Sequence, residues 1–98
     1  MDTLEEVYSA LRGQGELEWI GQGRAAVLYF NNGKRRYKIF FDDSNVEISE
    51  KKRFFKQEYW ESLGSRHYCN PEDSIEDVYD TVMYCLRTWK YGEREGEA

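Results

Sequence analysis

Within residues 21–41, GQGRAAVLYFNNGKRRYKIFF, two apolar runs are joined by Asn-Gly, and no other stretch limits the fold as tightly. Asn-Gly supplies the two positive-φ positions of a type I′ turn, so Asn32 and Gly33 are expected at its centre with Asn31 facing Lys34. Pairing then continues as Phe30 with Arg35, Leu28 with Tyr37 and Ala26 with Ile39. Successive strand residues point to opposite faces, which puts Ala26, Leu28, Phe30, Tyr37, Ile39 and Phe41 together on a core face. Val27, Tyr29, Arg36, Lys38 and Phe40 share the other face, half apolar and half basic.

Upstream, Leu4, Val7, Tyr8 and Leu11 recur at helical spacing behind Glu5 and Glu6, so residues 2–11 read as a short amphipathic helix stopped by Gly13 and Gly15. Residues 16–20 alternate, with Leu17 and Trp19 on one face, and read as a first strand that Gly21-Gln22-Gly23 turns into the hairpin. Downstream of the polar linker Asp42-Asp43-Ser44-Asn45, residues 48–63 carry Phe54, Phe55, Tyr59, Trp60 and Leu63 at spacings of three and four. A helix ended by Gly64 is predicted there, followed by a loop over 65–69. Asn70-Pro71-Glu72-Asp73 signals a further helix start, with Asn70 as cap and Pro71 at the first helical position. Its stripe is Ile75, Val78, Tyr79, Val82, Met83, Leu86 and Trp89, closed by Gly92, although Tyr84 and Cys85 among β-branched neighbours leave part of it open to strand. The expected fold is α+β: a three-stranded antiparallel sheet with an N-terminal helix and two C-terminal helices, in the order α-β-β-β-α-α. Residues 1–92 form one domain, and the charged tail 93–98 is expected to fray.

Composition narrows the function. With 40% hydrophobic and 16% aromatic residues the chain has enough apolar side chains for one modest core. It has no apolar run near the length of a membrane span, and its start, MDTLEEVY, is acidic; a cytoplasmic protein with no membrane partner is the expectation. Cys69 and Cys85 are expected as reduced thiols. The net charge of −5 hides a division: residues 24–56 hold nine bases and four acids, while the flanks are acidic. Such polarity can steer a charged partner.

The run Ile20-Gly21-Gln22-Gly23-Arg24-Ala25-Ala26-Val27-Leu28-Tyr29, followed by Tyr37-Lys38-Ile39-Phe40 and then Gln57-Glu58-Tyr59, resembles the amino-terminal lobe of the protein kinase family. The resemblance covers residues 16–64. It implies a nucleotide-binding set of Gly21, Gly23, Lys38 and Glu58, with the helix glutamate paired to the strand lysine; Ala26 stands where a third glycine would be. The His-Arg-Asp and Asp-Phe-Gly motifs that supply base and metal-binding acids in that family do not occur, so no catalysis is expected and no cofactor is assigned.

His67, Cys69 and Cys85 lack the paired spacing of a structural zinc site, and no metal is assigned. The reading that remains is a non-catalytic protein-interaction module that regulates or inhibits another protein, with Tyr29, Arg36, Phe40 and Trp60 as candidate contacts. A homodimer is compatible with it. In style, though not in any motif, the chain is similar to small acidic phage-borne antagonists such as anti-CRISPR proteins, which are viral inhibitors; on that reading Glu72, Asp73, Glu76, Asp77 and Asp80 of its own last helix would imitate phosphate spacing. A further alternative is weak nucleic-acid binding through Lys34, Arg35, Arg36 and Lys38 with Lys51, Lys52, Arg53 and Lys56.

Overall fold

The central hairpin forms as β2 (Ala25–Asn32) and β3 (Arg35–Asp42) in a computed structural model that describes residues 2–70 and 73–92. The turn lies one residue later than expected: Asn32 faces Arg35, Phe30 faces Tyr37 and Leu28 faces Ile39. Only Gly33 takes positive φ, +63°, which leaves Asn32 in the ladder and Gly33 as the first of two loop residues. The register is displaced by two residues from the expected one. An even displacement keeps every side chain on its face, so Ala26, Leu28, Phe30, Tyr37, Ile39 and Phe41 are all buried together as anticipated.

β1 (Glu16–Ile20) pairs antiparallel with β2 and is reached from α1 (Leu4–Ala10). Thr3 caps that helix by accepting from the Glu6 amide at 3.2 Å, with Glu5 and Glu6 in the first turn. Val7 and Leu11 enter the core, and Tyr8 stacks on Trp19 at 4.2 Å with the rings 9° from parallel.

The expectation of three strands and a helix over 48–63 is corrected by the next segment. β4 (Asn45–Phe54) and β5 (Gln57–His67) extend the sheet to five antiparallel strands in the order β1-β2-β3-β4-β5. The local reason is alternation: Val46 and Ile48 point to the core while Glu47 points away, a period of two that no helix satisfies. The spacing of three and four that suggested a helix arises because Phe54 and Phe55 lie at a hairpin tip and Tyr59, Trp60 and Leu63 on its return strand. Gly64 therefore ends no helix. It lies opposite Ile48, next to a bulge where the register shifts between Ile48 and Ser49. The predicted loop at 65–69 likewise begins as strand, since β5 runs to His67.

α2 (Ser74–Cys85) is wholly helical and continues through a wide turn over Leu86–Lys90, in which the Tyr91 amide reaches the Leu86 carbonyl at 3.0 Å. Val78, Val82, Cys85 and Leu86 pack with Val7 and Leu11 on the same sheet face, forming one core. Asn70 bonds Asp73 through its side chain at 2.9 Å, and Asp73 occupies the cap position; the predicted roles of Pro71 and Glu72, and the tail 93–98, lie outside the described residues. Residues 89–91 are tied back to the first third of the chain. Asn32 donates to the Trp89 carbonyl at 2.7 Å, Lys90 to the Gln14 carbonyl, and Tyr91 to Gln14 Oε1 at 2.6 Å.

Candidate recognition surface

Among the described residues no helix covers the second face of the sheet. Yet Val27 is only 7% exposed and Ser49 3%, so the sheet's own side chains cover them. Strand alternation puts Tyr29, Arg36, Lys38, Phe40, Lys51, Glu58 and Trp60 on this open face. Trp60 organises it. The Lys38 ammonium sits 4.7 Å from the Trp60 ring centroid and Lys51 5.8 Å, and the Tyr29 ring lies 6.2 Å away. Tyr29 is on β2 and Trp60 on β5, three strand spacings or about 14 Å apart in a flat sheet. Ring contact over that span requires the sheet to curl towards this face.

Four of the partner-contact candidates therefore share one concave surface. Tyr29 and Trp60 touch, Arg36 lines the same hollow beside Glu16 and Lys51, and Phe40 lies further along, beside Glu47 and Ser65. The nucleotide set is not assembled in the same way. Glu58 stands on a strand, and its carboxylate meets Lys51 at 2.8 Å, the hydrogen bond that chiefly holds it below the usual carboxylate range. Gly21 and Gly23, at φ +59° and +85°, turn β1 into β2 beside Ile20 and Ala25. That turn is four strand residues, about 13 Å, from Lys38 along the sheet. Glu76 and Asp80 project from the exposed side of α2, with Asp77 half-buried beside them.

Sequence reasoning missed the hairpin arm. The β3–β4 ladder stops at Tyr37 opposite Glu50. Its continuation would set Arg36 against Lys51 and Arg35 against Lys52, and like charges directly opposed are unfavourable. Residues 51–60 therefore form a two-stranded arm whose backbone ladder is β4–β5 alone. Lys52 shows both influences: its hydrogen bond to Glu50 at 2.8 Å raises its pKa most, and Arg35 pulls the other way. At the arm's tip Phe54 is 66% and Phe55 84% exposed, edge to face at 4.5 Å. Phe55 has φ +56° in a two-residue loop, a conformation that costs a bulky residue about 1–2 kcal/mol. Arg53 Nε donates to its carbonyl at 3.0 Å.

The arm and the Gly33 turn lie at the same end of the sheet, so two basic runs distant in sequence, Lys34 to Lys38 and Lys51 to Lys56, become neighbours. At the opposite end, Asp2, Asp42, Asp43 and Ser74 surround a hollow of about 990 Å³ with Arg24, His67 and Cys69. Asp42 Oδ1 accepts the Ser44 and Asn45 amides at 2.8 and 2.7 Å, and His67 Nδ1 meets Asn45 Oδ1 at 2.6 Å. Among the described residues no three of His, Cys, Asp and Glu converge as metal ligands, and no helix is long and apolar enough to cross a membrane. Compared with known proteins, the chain matches no family model, no curated protein and no solved structure.

Proposed function

We propose that the chain is a non-catalytic interaction module that regulates or inhibits a partner protein, and that it engages the partner with the β4–β5 arm and the concave face at its base. The observation that carries this is the pair Phe54 and Phe55, the most exposed large apolar side chains among the described residues, held at a tip where Phe55 adopts a strained backbone. Strain that a glycine would relieve is retained where the side chain itself is needed. Covering both rings in a partner's pocket would contribute about 3 kcal/mol or more, the scale of an interface anchor. The test is affinity purification of tagged protein from its native cells, in parallel with Phe54→Ser/Phe55→Ser. A partner retained by the parent chain and lost by the folded variant supports the reading; equal retention by both refutes it.

One observation favours a second reading, binding of a nucleic-acid backbone: the fold gathers both basic runs at one end beside exposed aromatics. Such binding would weaken steeply with salt. Fluorescence anisotropy with a labelled single-stranded oligonucleotide decides it, since no binding even at low salt removes the reading.

A further inference from the structure

We infer that the chain pairs with a second copy of itself along β5, antiparallel, across a two-fold axis near Trp60. β5 is eleven residues long and forms one border of the sheet, with every residue but Trp60 exposed. Among the described residues no strand lies beside the alternate N–H and C=O groups along that border, the arrangement that templates pairing with another chain. The opposite border, β1, has only five residues. Proline and lysine, two residues that discourage such pairing, are missing from β5.

Three further features select a second copy as the occupant. The first is charge. Arg53 and Lys56 lie at the arm end of the β4–β5 hairpin, whereas at its other end Asp2, Asp42 and Asp43 outnumber Arg24 and Arg66. A two-fold axis reverses one copy against the other, so each basic arm lies along the partner's acidic end; parallel pairing would set like ends together. The second is register. The bulge divides β5, and the longer regular run, 57–62, is the one able to accept a strand without a break. An axis at Trp60 sets Glu58 opposite Ser62 of the second copy and Tyr59 opposite Glu61, with no like charges directly opposed. The third is the arm itself. A two-stranded ribbon standing free in water is marginal, and a strand from the second copy makes it three- and then four-stranded. The inference goes beyond the partner-binding reading, because it concerns the strand's border and leaves the Phe54–Phe55 tip open.

Sedimentation equilibrium of the full chain, combined with hydrogen exchange at low and high protein concentration, tests it. The expected result is a monomer–dimer equilibrium in which amides of 57–62 gain protection as the dimer fills. Neighbouring strand residues direct their N–H groups to opposite borders. Of Glu61→Pro and Ser62→Pro, one therefore removes an outward N–H and leaves the pairing with β4 intact. The variant that keeps its circular dichroism and melting temperature should raise the dimer Kd at least about tenfold, the loss of roughly one to two interchain hydrogen bonds. Arg53→Glu/Lys56→Glu should weaken the dimer as well, and added salt should weaken the parent chain's dimer. A chain that stays monomeric to about 0.5 mM, weaker than any useful association, overturns the inference. So does a dimer whose β5 amides exchange as in the monomer, or a folded proline variant that dimerises unchanged. Loss of the dimer in the proline variant with capture of the partner protein preserved separates this surface from the tip.

Discussion

Replacing Trp60 with alanine should release the arm while leaving the core in place. Trp60 stands at the base of the arm and meets three groups of the sheet: Lys38 at 4.7 Å, Lys51 at 5.8 Å and the Tyr29 ring at 6.2 Å. A cation over an aromatic ring at a partly exposed site contributes about 0.5–1 kcal/mol, less for Lys51, which lies near the limit of the interaction. The tilted Tyr29–Trp60 contact contributes about another 0.5–1 kcal/mol. Together these hold the arm closed by about 2 kcal/mol, a factor of about 30 in its local opening equilibrium. Hydrogen exchange at high dilution should therefore show amides of 51–62 exchanging about 30-fold faster in Trp60→Ala, with those of Leu28 and Ile39 nearly unchanged. Lys38→Met, which keeps most of the side chain and removes its charge, should give about a third of the effect. Arm amides that change less than about threefold, below 0.7 kcal/mol, or core amides that accelerate equally, would refute the account of Trp60 as a clasp.

Other substitutions probe the fold directly. A Cβ at Gly15 would fall well inside 3.0 Å of the Tyr29 carbonyl oxygen, a backbone atom that cannot yield. Gly15→Ala should thus cost about 2 kcal/mol or more in urea denaturation, and an unchanged midpoint would contradict the close approach of β2. Arg35→Glu/Arg36→Glu replaces the like charges opposite Lys52 and Lys51, so the β3–β4 ladder should extend beyond Glu50 and slow exchange in the first half of the arm; unaltered exchange would mean repulsion is not what ends the ladder. Burial pushes the Cys85 thiol up from 9.0 to about 11. The folded protein holds that proton longer than the unfolded chain, so the thiol's contribution is complete below pH 9 and falls away as the pH rises through 11, by up to about 3 kcal/mol. Stability curves for the parent and Cys85→Ala should converge across that interval, and parallel curves would show the thiol is not shielded.

The parts legible in the sequence are those in which a local signal and the tertiary environment agree. Leu17 and Trp19 in β1, the alternating faces of β2 and β3, and the stripe from Ile75 to Trp89 each carry a clear period, and each folds accordingly. The hairpin register was displaced because Asn32 can act either as a turn residue or as the last ladder residue, and pairing with Arg35 favours the ladder. The β4–β5 hairpin was obscured for a different reason. Its loop, Phe55 and Lys56, contains none of the Gly, Asn, Asp or Pro that ordinarily mark a turn, and a strained Phe55 takes the glycine position. The signal that could have found it is the alternation Val46, Glu47, Ile48, which the helix formers after Ile48 outweighed. Trp60, assigned to a helix, still reaches the face shared by Tyr29, Arg36 and Phe40, because pairing with Lys51 fixes its direction. The exposed Phe54–Phe55 pair at the tip was invisible for as long as the turn was.

Spatial order in this sheet repeats chain order: each strand bonds to the one made just before it. Folding can therefore proceed by successive addition, every new strand meeting a template already formed, with little entropy lost in closing distant loops. The exception is the return of Trp89, Lys90 and Tyr91 to Asn32 and Gln14, the longest excursion of the chain among the bonds described. That closure has the character of a late step, so Asn32→Ala should speed unfolding far more than it slows refolding, leaving the route to the sheet untouched while loosening its latch.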